Sequence, residues 1–105
     1  MVGLLAMAAA MGTGGYFETG NTLYTKCTDP SWGLACTAFI EGVTDGMTLA
    51  VATGDKQLVC APDTITAGQA KDVVTMYLRD HPATRNLNAS LLVAIAEKEA
   101  WPCAK

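Results

Sequence analysis

The chain has 105 residues, of which 50% are hydrophobic, and its 7 basic and 10 acidic side chains give a formal net charge of −3. This length suits one domain whose core alone is only marginally sufficient for stability, and the apolar content excludes a disordered chain. No basic patch is dense enough to bind phosphates, so we do not expect nucleic acid as a partner.

The chain begins with an apolar leader. Met1 to Met11 is too short to span a bilayer, and it resembles the hydrophobic and small-residue parts of a secretory signal, with Ala8 to Ala10 near a cleavage point. No basic residue precedes Lys26, so the positive start of such a signal is missing. We interpret residues 1–15 as an incomplete export signal and residues 16–105 as a single helical domain without an integral membrane span.

Apolar periodicity and capping residues predict four helices in this domain. The first is short and capped by Thr19 or Asn21. The third begins with a Thr66–Gln69 capping box, in which each side chain bonds the other residue's backbone N–H. The predicted ranges are Phe17 to Lys26, Trp32 to Ala52, Thr66 to His81 and Ala83 to Ala100.

The second predicted helix has one apolar stripe and one polar side. The stripe, predicted to be buried, comprises Trp32, Cys36, Phe39, Ile40, Val43, Met47 and Val51. The polar side comprises Glu41, Thr44, Asp45 and Thr48. Gly42 and Gly46 lie on one side, and each costs about 1 kcal/mol relative to alanine. We therefore predict that another helix crosses closely at this pair.

The third and fourth helices form an antiparallel hairpin joined at His81-Pro82. The third buries a stripe of Ala70, Val73, Val74, Tyr77 and Leu78. The fourth is apolar nearly all round, which predicts a position in the middle of the domain.

Cys27, Cys36, Cys60 and Cys103 are an even set at wide spacings. A structural zinc site usually contains a close ligand pair, which this chain lacks, and four reduced thiols in a cytosolic protein are a second alternative. We favour two disulfides and an oxidising compartment. The hairpin geometry favours Cys60–Cys103, and the short turn favours Cys27–Cys36, although sequence alone leaves three pairings open.

We find no credible active site in the sequence, and we expect no metal and no cofactor. His81 lies at a helix end before a proline, which favours a capping or surface role over a general base. Glu41 and Asp45 lie one turn apart, which is typical of a solvated face. The sequon at Asn88 falls inside the predicted fourth helix, so we interpret it as chance.

An ordered set of fragments covers most of residues 20–103 and is similar to one family. The fragments are Gly20-Asn21-x-Leu23-Tyr24-x-x-Cys27, Cys36-x-x-Phe39-Ile40-x-Gly42-x-x-Asp45-Gly46, Cys60-x-Pro62, Thr66-x-Gly68-Gln69-x-x-Asp72-Val73-Val74-x-x-Tyr77-Leu78, His81-Pro82, Leu92-Val93 and Trp101-Pro102-Cys103. They resemble the Rap/Tai family of immunity proteins, which accompany peptidoglycan amidases delivered by type VI secretion. Trp101 departs from the phenylalanine that is often found at this position.

The resemblance implies an all-α, disulfide-bonded bundle of about four helices in the periplasm. It further implies a protein without catalysis of its own that binds a cognate amidase and blocks its cleft, in a family whose members are often dimeric. The other function that we consider is a periplasmic helical module with a structural, stress-related or lysis-regulating role and no toxin target.

A short polar loop is our candidate for the part that enters the cleft. It comprises Thr53, Gly54, Asp55, Lys56 and Gln57, and ordered segments flank it on both sides. The alternative interpretation is a plain connector between helices. Sequence alone leaves both interpretations of this loop open.

Overall fold

The computed structural model describes residues 17–104, which contain four α-helices, two short 3₁₀ turns and no strand beyond one isolated bridge. The leader predicted for residues 1–15 lies outside the described residues. The helices are α1 (Gly20–Thr28), α2 (Gly33–Ala52), α3 (Ala67–Asp80) and α4 (Ala89–Ala100), and the 3₁₀ turns are Pro30–Trp32 and Pro82–Thr84. The predicted all-α, disulfide-bonded fold is confirmed.

Local capping sets the starts of α1 and α3. Thr19 caps α1 through a capping box with Thr22, in which each side chain bonds the other residue's backbone N–H. At α3 the Thr66 hydroxyl accepts the N–H of Gln69 at 3.0 Å, as predicted. The reciprocal bond from the Gln69 side chain is not formed among the described residues, so this half of the predicted capping box was wrong.

The fourth helix begins at Ala89, later than the predicted Ala83. The backbone of the preceding residues instead pairs with the start of α1. The N–H of Gly20 donates to the carbonyl of Leu87 at 2.9 Å, and the N–H of Ala89 donates to the carbonyl of Glu18 at 3.0 Å. Asn88 caps α4 by accepting the N–H of Ser90, which gives this asparagine a structural role at the helix start.

The core lies where all four helices meet. Its central side chains come from one face of each helix. Within the described part of the chain, α4 supplies more of them than any other helix, and this helix was predicted to lie in the middle of the domain. The buried apolar residues are Leu23, Cys27, Cys36, Ile40, Ala70, Val74, Leu78, Ala89, Leu92, Val93 and Ala96. The predicted stripe of α3 is confirmed, with Val73 and Tyr77 partly buried at its edge. However, α4 is not covered all round, because Leu91 is 49% exposed.

Only the first half of α2 packs into this core. Cys36 and Ile40 are buried, whereas Trp32 and Val51, which we predicted to be buried, are exposed. Phe39, Val43 and Met47 are partly buried. The apolar stripe of α2 is therefore real, but much of its second half has no cover within the described residues.

The same region is the one stretch of the described chain that is long and apolar enough to cross a membrane by length and composition. It runs from Pro30 to Ala52, and 11% of its most apolar window is buried. Glu41 and Asp45 lie near its middle, where a charged side chain costs about 2.5–3.5 kcal/mol at the centre of a bilayer. We interpret it as a surface helix of the bundle.

Both predicted disulfides are confirmed. Cys27–Cys36 ties the end of α1 to the first turn of α2. Cys60–Cys103 ties the connection between α2 and α3 to the chain just after α4. One disulfide thus fixes the start of α2, and the other fixes the connection that follows it.

Candidate partner-binding surface

The predicted partner-binding loop, residues 53–57, continues directly from the end of α2. Its backbone closes the helix, because the N–H of Asp55 donates to the carbonyl of Ala50 at 2.9 Å. Gly54 has a φ of +118°, a conformation that L side chains rarely adopt, so glycine is needed at this turn. All five residues of the loop are exposed. The loop is therefore an ordered projection whose first half is fixed to the helix.

The second half of the loop is held near the far end of α4. The side-chain amide of Gln57 donates to the carbonyl of Val59 at 3.1 Å. The backbone N–H of Cys60 donates to the carbonyl of Trp101 at 2.9 Å, directly beside the Cys60–Cys103 disulfide. The loop is thus attached to the bundle on both sides, which limits the entropy that it loses when a partner binds.

A cavity of about 240 Å³ lies between the loop and α2. Its walls are largely apolar and come from the second half of α2 and from the chain after the loop. The residues that line it include Thr44, Met47 and Val51 of α2 and Leu58 and Val59 of the chain after the loop. Leu58 is 47% exposed, so apolar surface lies directly beside the charged side chains of Asp55 and Lys56.

A second, open groove of about 630 Å³ runs between α2 and α4. Phe39, Gly42, Gly46 and Leu91 line it. A Cβ built at Gly42 or Gly46 would have no neighbour within 4 Å among the described atoms outside its own helix. The predicted close helix crossing at this pair is therefore wrong within a single chain, because α4 packs beside the groove rather than across it.

One buried acid links α2 to α4, and the sequence interpretation missed it. Glu97 is 1% exposed, and its Oε2 lies 2.8 Å from the hydroxyl of Thr44. The Thr44 hydroxyl also donates to the carbonyl of Ile40 at 2.9 Å. The Thr44 hydroxyl therefore lies between a carbonyl of its own helix and the carboxyl of Glu97 on α4.

The burial of Glu97 also changes its acidity. Burial raises the pKa of this carboxyl above its ordinary value of 4.5, and the hydrogen bond with Thr44 opposes the shift only in part. Thr44 was predicted on the polar side of α2, and the structure places it there half-buried against Glu97. The sequence did contain a signal, since Glu97 continues the spacing of Val93 on the buried face of α4.

The described residues bring together no catalytic constellation. His81 is exposed, and its Nδ1 lies 2.7 Å from the carbonyl of Tyr77, to which it donates. Its ring stacks on that of Tyr77 at 3.9 Å. Glu41 and Asp45 are exposed on α2. No group of three or more His, Cys, Asp or Glu side chains within residues 17–104 is placed to hold a metal ion.

Comparison with known proteins identifies a family. A family model described as Rap1a immunity proteins matches residues 19–103, which includes all four helices and both disulfides. A search of curated proteins found no match, and a search of solved structures also found none.

Proposed function

Because the chain belongs to the Rap1a family of immunity proteins, we propose that it binds and occludes a peptidoglycan amidase delivered by type VI secretion. In this proposal the protein catalyses nothing itself and protects the cell that makes it. The observation that carries the proposal is the exposed loop at residues 53–57, which projects from α2 and is attached to the bundle on both sides.

The proposed mechanism is steric occlusion of the amidase cleft. The loop presents a carboxylate at Asp55 and an ammonium group at Lys56, with Leu58 as an apolar neighbour. Charged groups fix the register and the rate of association, whereas apolar burial supplies most of the affinity. Since the loop is already ordered, little conformational entropy opposes binding.

The proposed location is the periplasm. Both disulfides need an oxidising compartment to form and persist, and the periplasm is one. A peptidoglycan amidase also acts there, so inhibitor and target would meet.

The experiment that tests the proposal first asks whether a gene beside that of this protein encodes a peptidoglycan amidase, and then uses that enzyme. The oxidised protein should bind it with a Kd on the order of nanomolar and stop cleavage of purified peptidoglycan at equimolar ratio. Asp55→Lys should weaken binding at least about tenfold, as expected for a central contact. Asp63→Lys makes the same charge change at an exposed site outside the loop and should leave binding unchanged.

Two outcomes would contradict this proposal. Equal loss of binding in both variants would mean that net charge, rather than the loop, governs the interaction. Absence of any binding to the amidase would favour the periplasmic structural or lysis-regulating module instead.

We further propose that a second copy of the chain covers the groove between α2 and α4. The resemblance implies dimers, and a helix that packs against its own symmetric copy explains why Gly42 and Gly46 face open space. The absence of side chains at this pair allows two backbones to approach closely.

Leu91→Glu, in the groove, should shift the mass measured by light scattering toward the monomer. Leu34→Glu, at the far more exposed start of α2, should not, and equal behaviour of the two variants would contradict the interface.

A further inference from the structure

The two disulfides differ in their accessibility. Cys27 and Cys36 belong to the core and are 7% and 0% exposed. Cys60 is exposed, and Cys103 is half-buried. Since thiol–disulfide exchange requires a thiolate to reach one of the two sulfur atoms, the Cys60–Cys103 bond is the accessible target.

The accessible bond also holds the part of the chain that has the fewest other attachments. Between residues 56 and 65, the single backbone hydrogen bond to another helix or its cap within the described chain joins Cys60 to Trp101. Most side chains of this segment are exposed, with Val59, Ala61 and Ile65 half-buried. The Cys103 sulfur lies 3.8 Å from the carbonyl of Gln57, but a disulfide sulfur has no proton, so this is only a contact.

The core, by contrast, does not depend on this link for its packing. The buried side chains come from the four helices, and none comes from residues 53–66. Breaking the Cys60–Cys103 bond therefore removes no core contact directly. It releases the connection that forms the outer wall of the cavity beside the loop.

We propose that the Cys60–Cys103 disulfide is a redox-sensitive latch. Its reduction, with Cys27–Cys36 intact, detaches the connection 53–66 from the bundle while the helical core stays folded. Where the loop is the amidase-binding element, which rests on the proposed function, reduction also weakens inhibition. The protein would then be fully competent only in an oxidising compartment.

The chemistry is a two-electron exchange with a dithiol. One thiolate of the dithiol attacks the sulfur of Cys60 or Cys103, which breaks the protein disulfide and forms a mixed disulfide while the other cysteine leaves as a thiolate. The second thiol of the reagent then resolves the mixed disulfide. The dithiol ends oxidised to a disulfide, and the protein gains two electrons and two protons as two thiols.

The first test is graded reduction by dithiothreitol, followed by alkylation and peptide mass spectrometry. We expect the first reduced species to carry label at Cys60 and Cys103 and none at Cys27 or Cys36. In that species the amide hydrogen of Cys60 should exchange at least about tenfold faster, because a covalent link no longer restrains the opening of its hydrogen bond to Trp101. The amide of Val93 should keep its protection. Label at all four cysteines together, or unchanged exchange at Cys60, would overturn the latch.

The variant Cys60→Ser with Cys103→Ser provides a permanent open state and a control. It should retain native helical circular dichroism and bind the amidase at least about tenfold more weakly than oxidised wild type. Dithiothreitol at the same low concentrations should not weaken it further, which excludes an effect of the reductant on the amidase. A variant that does not fold, or one that inhibits as well as wild type, would overturn the proposal.

The two proposals fail in different ways. If oxidised wild type does not bind the amidase, the proposed function is wrong, and labelling with hydrogen exchange still decides the latch. If oxidised and selectively reduced protein inhibit equally, the proposed function stands and the latch does not govern it.

Discussion

Gly20 should be the glycine that this fold tolerates least when it is replaced by alanine. A Cβ at this position would lie 2.7 Å from the carbonyl oxygen and 2.9 Å from the Cα of Arg85, and it would also meet the side chain of Leu92. The backbone cannot withdraw easily, since the N–H of Gly20 bonds to Leu87 and that of Asn21 bonds to Arg85. Overpacking of this kind costs about 1–3 kcal/mol, and a weakened backbone bond adds about 1 kcal/mol.

We therefore expect Gly20→Ala to lower the free energy of unfolding by about 2–4 kcal/mol. Gly42→Ala is the matched control, because it makes the same change inside a helix where no described neighbour lies within 4 Å. It should raise the free energy of unfolding by about 1 kcal/mol through helix propensity. Urea unfolding followed by circular dichroism measures both, at a concentration where light scattering gives the monomer mass. Equal effects of the two substitutions, or a greater destabilisation by Gly42→Ala than by Gly20→Ala, would refute the reasoning.

Three further predictions follow from contacts elsewhere in the bundle. Replacing Cys60 and Cys103 together by serine should lower the free energy of unfolding by about 4 kcal/mol on the loop-entropy model, measured by urea titration against oxidised wild type. Burial raises the pKa of Glu97 above its ordinary value of 4.5, and the bond to Thr44 opposes this shift. The contribution of this shift to the free energy of unfolding is therefore fully present below pH 4.5, and it is lost as the pH rises through the folded-state pKa. Glu97→Gln should remove that part of the pH dependence in thermal unfolding from pH 4 to 8, and an unchanged profile would contradict a raised pKa of Glu97. Asn88→Ala should lower the free energy of unfolding by about 1 kcal/mol, because α4 loses its cap.

The parts of the fold that sequence could predict are those with local causes. The stripe of Ala70, Val74 and Leu78 follows from helical spacing, and the cap at Thr66 from one hydroxyl and one N–H three residues apart. The Cys60–Cys103 pairing also followed, because an antiparallel hairpin places the start of its first helix beside the end of its second. These inferences needed no knowledge of distant contacts.

The start of α4 could not be predicted in this way. Residues 83–88 include the helix-compatible Ala83, Arg85 and Leu87 among polar neighbours, but the carbonyls of Arg85 and Leu87 accept hydrogen bonds from Asn21 and Gly20, far away in the sequence. A backbone used in that pairing cannot at the same time continue a helix toward Pro82. Tertiary pairing therefore overrides the local preference here.

The sequence did not reveal the burial of Glu97, because this side chain can carry a charge. The apolar periodicity of α2 predicted more burial than the structure shows. An acid at a core-facing position is usually assigned to solvent, and its partner Thr44 lies 53 residues away. On α2 the apolar spacing correctly marks one face of the helix. It does not show whether the rest of the chain covers that face, and at Gly42 and Gly46 a built Cβ has no described neighbour within 4 Å.

The position of α2 explains how a small core can support the proposed binding surface. Its first turn is fixed by Cys27–Cys36, and the connection that follows it is fixed by Cys60–Cys103. Between these links only Cys36 and Ile40 are buried, so the second half of the helix is placed by its own rigidity and by the covalent links as much as by side-chain packing. Apolar residues there are free to contact another molecule because the fold does not need them inside. Substitutions on that half of α2 should therefore change association more than they change stability.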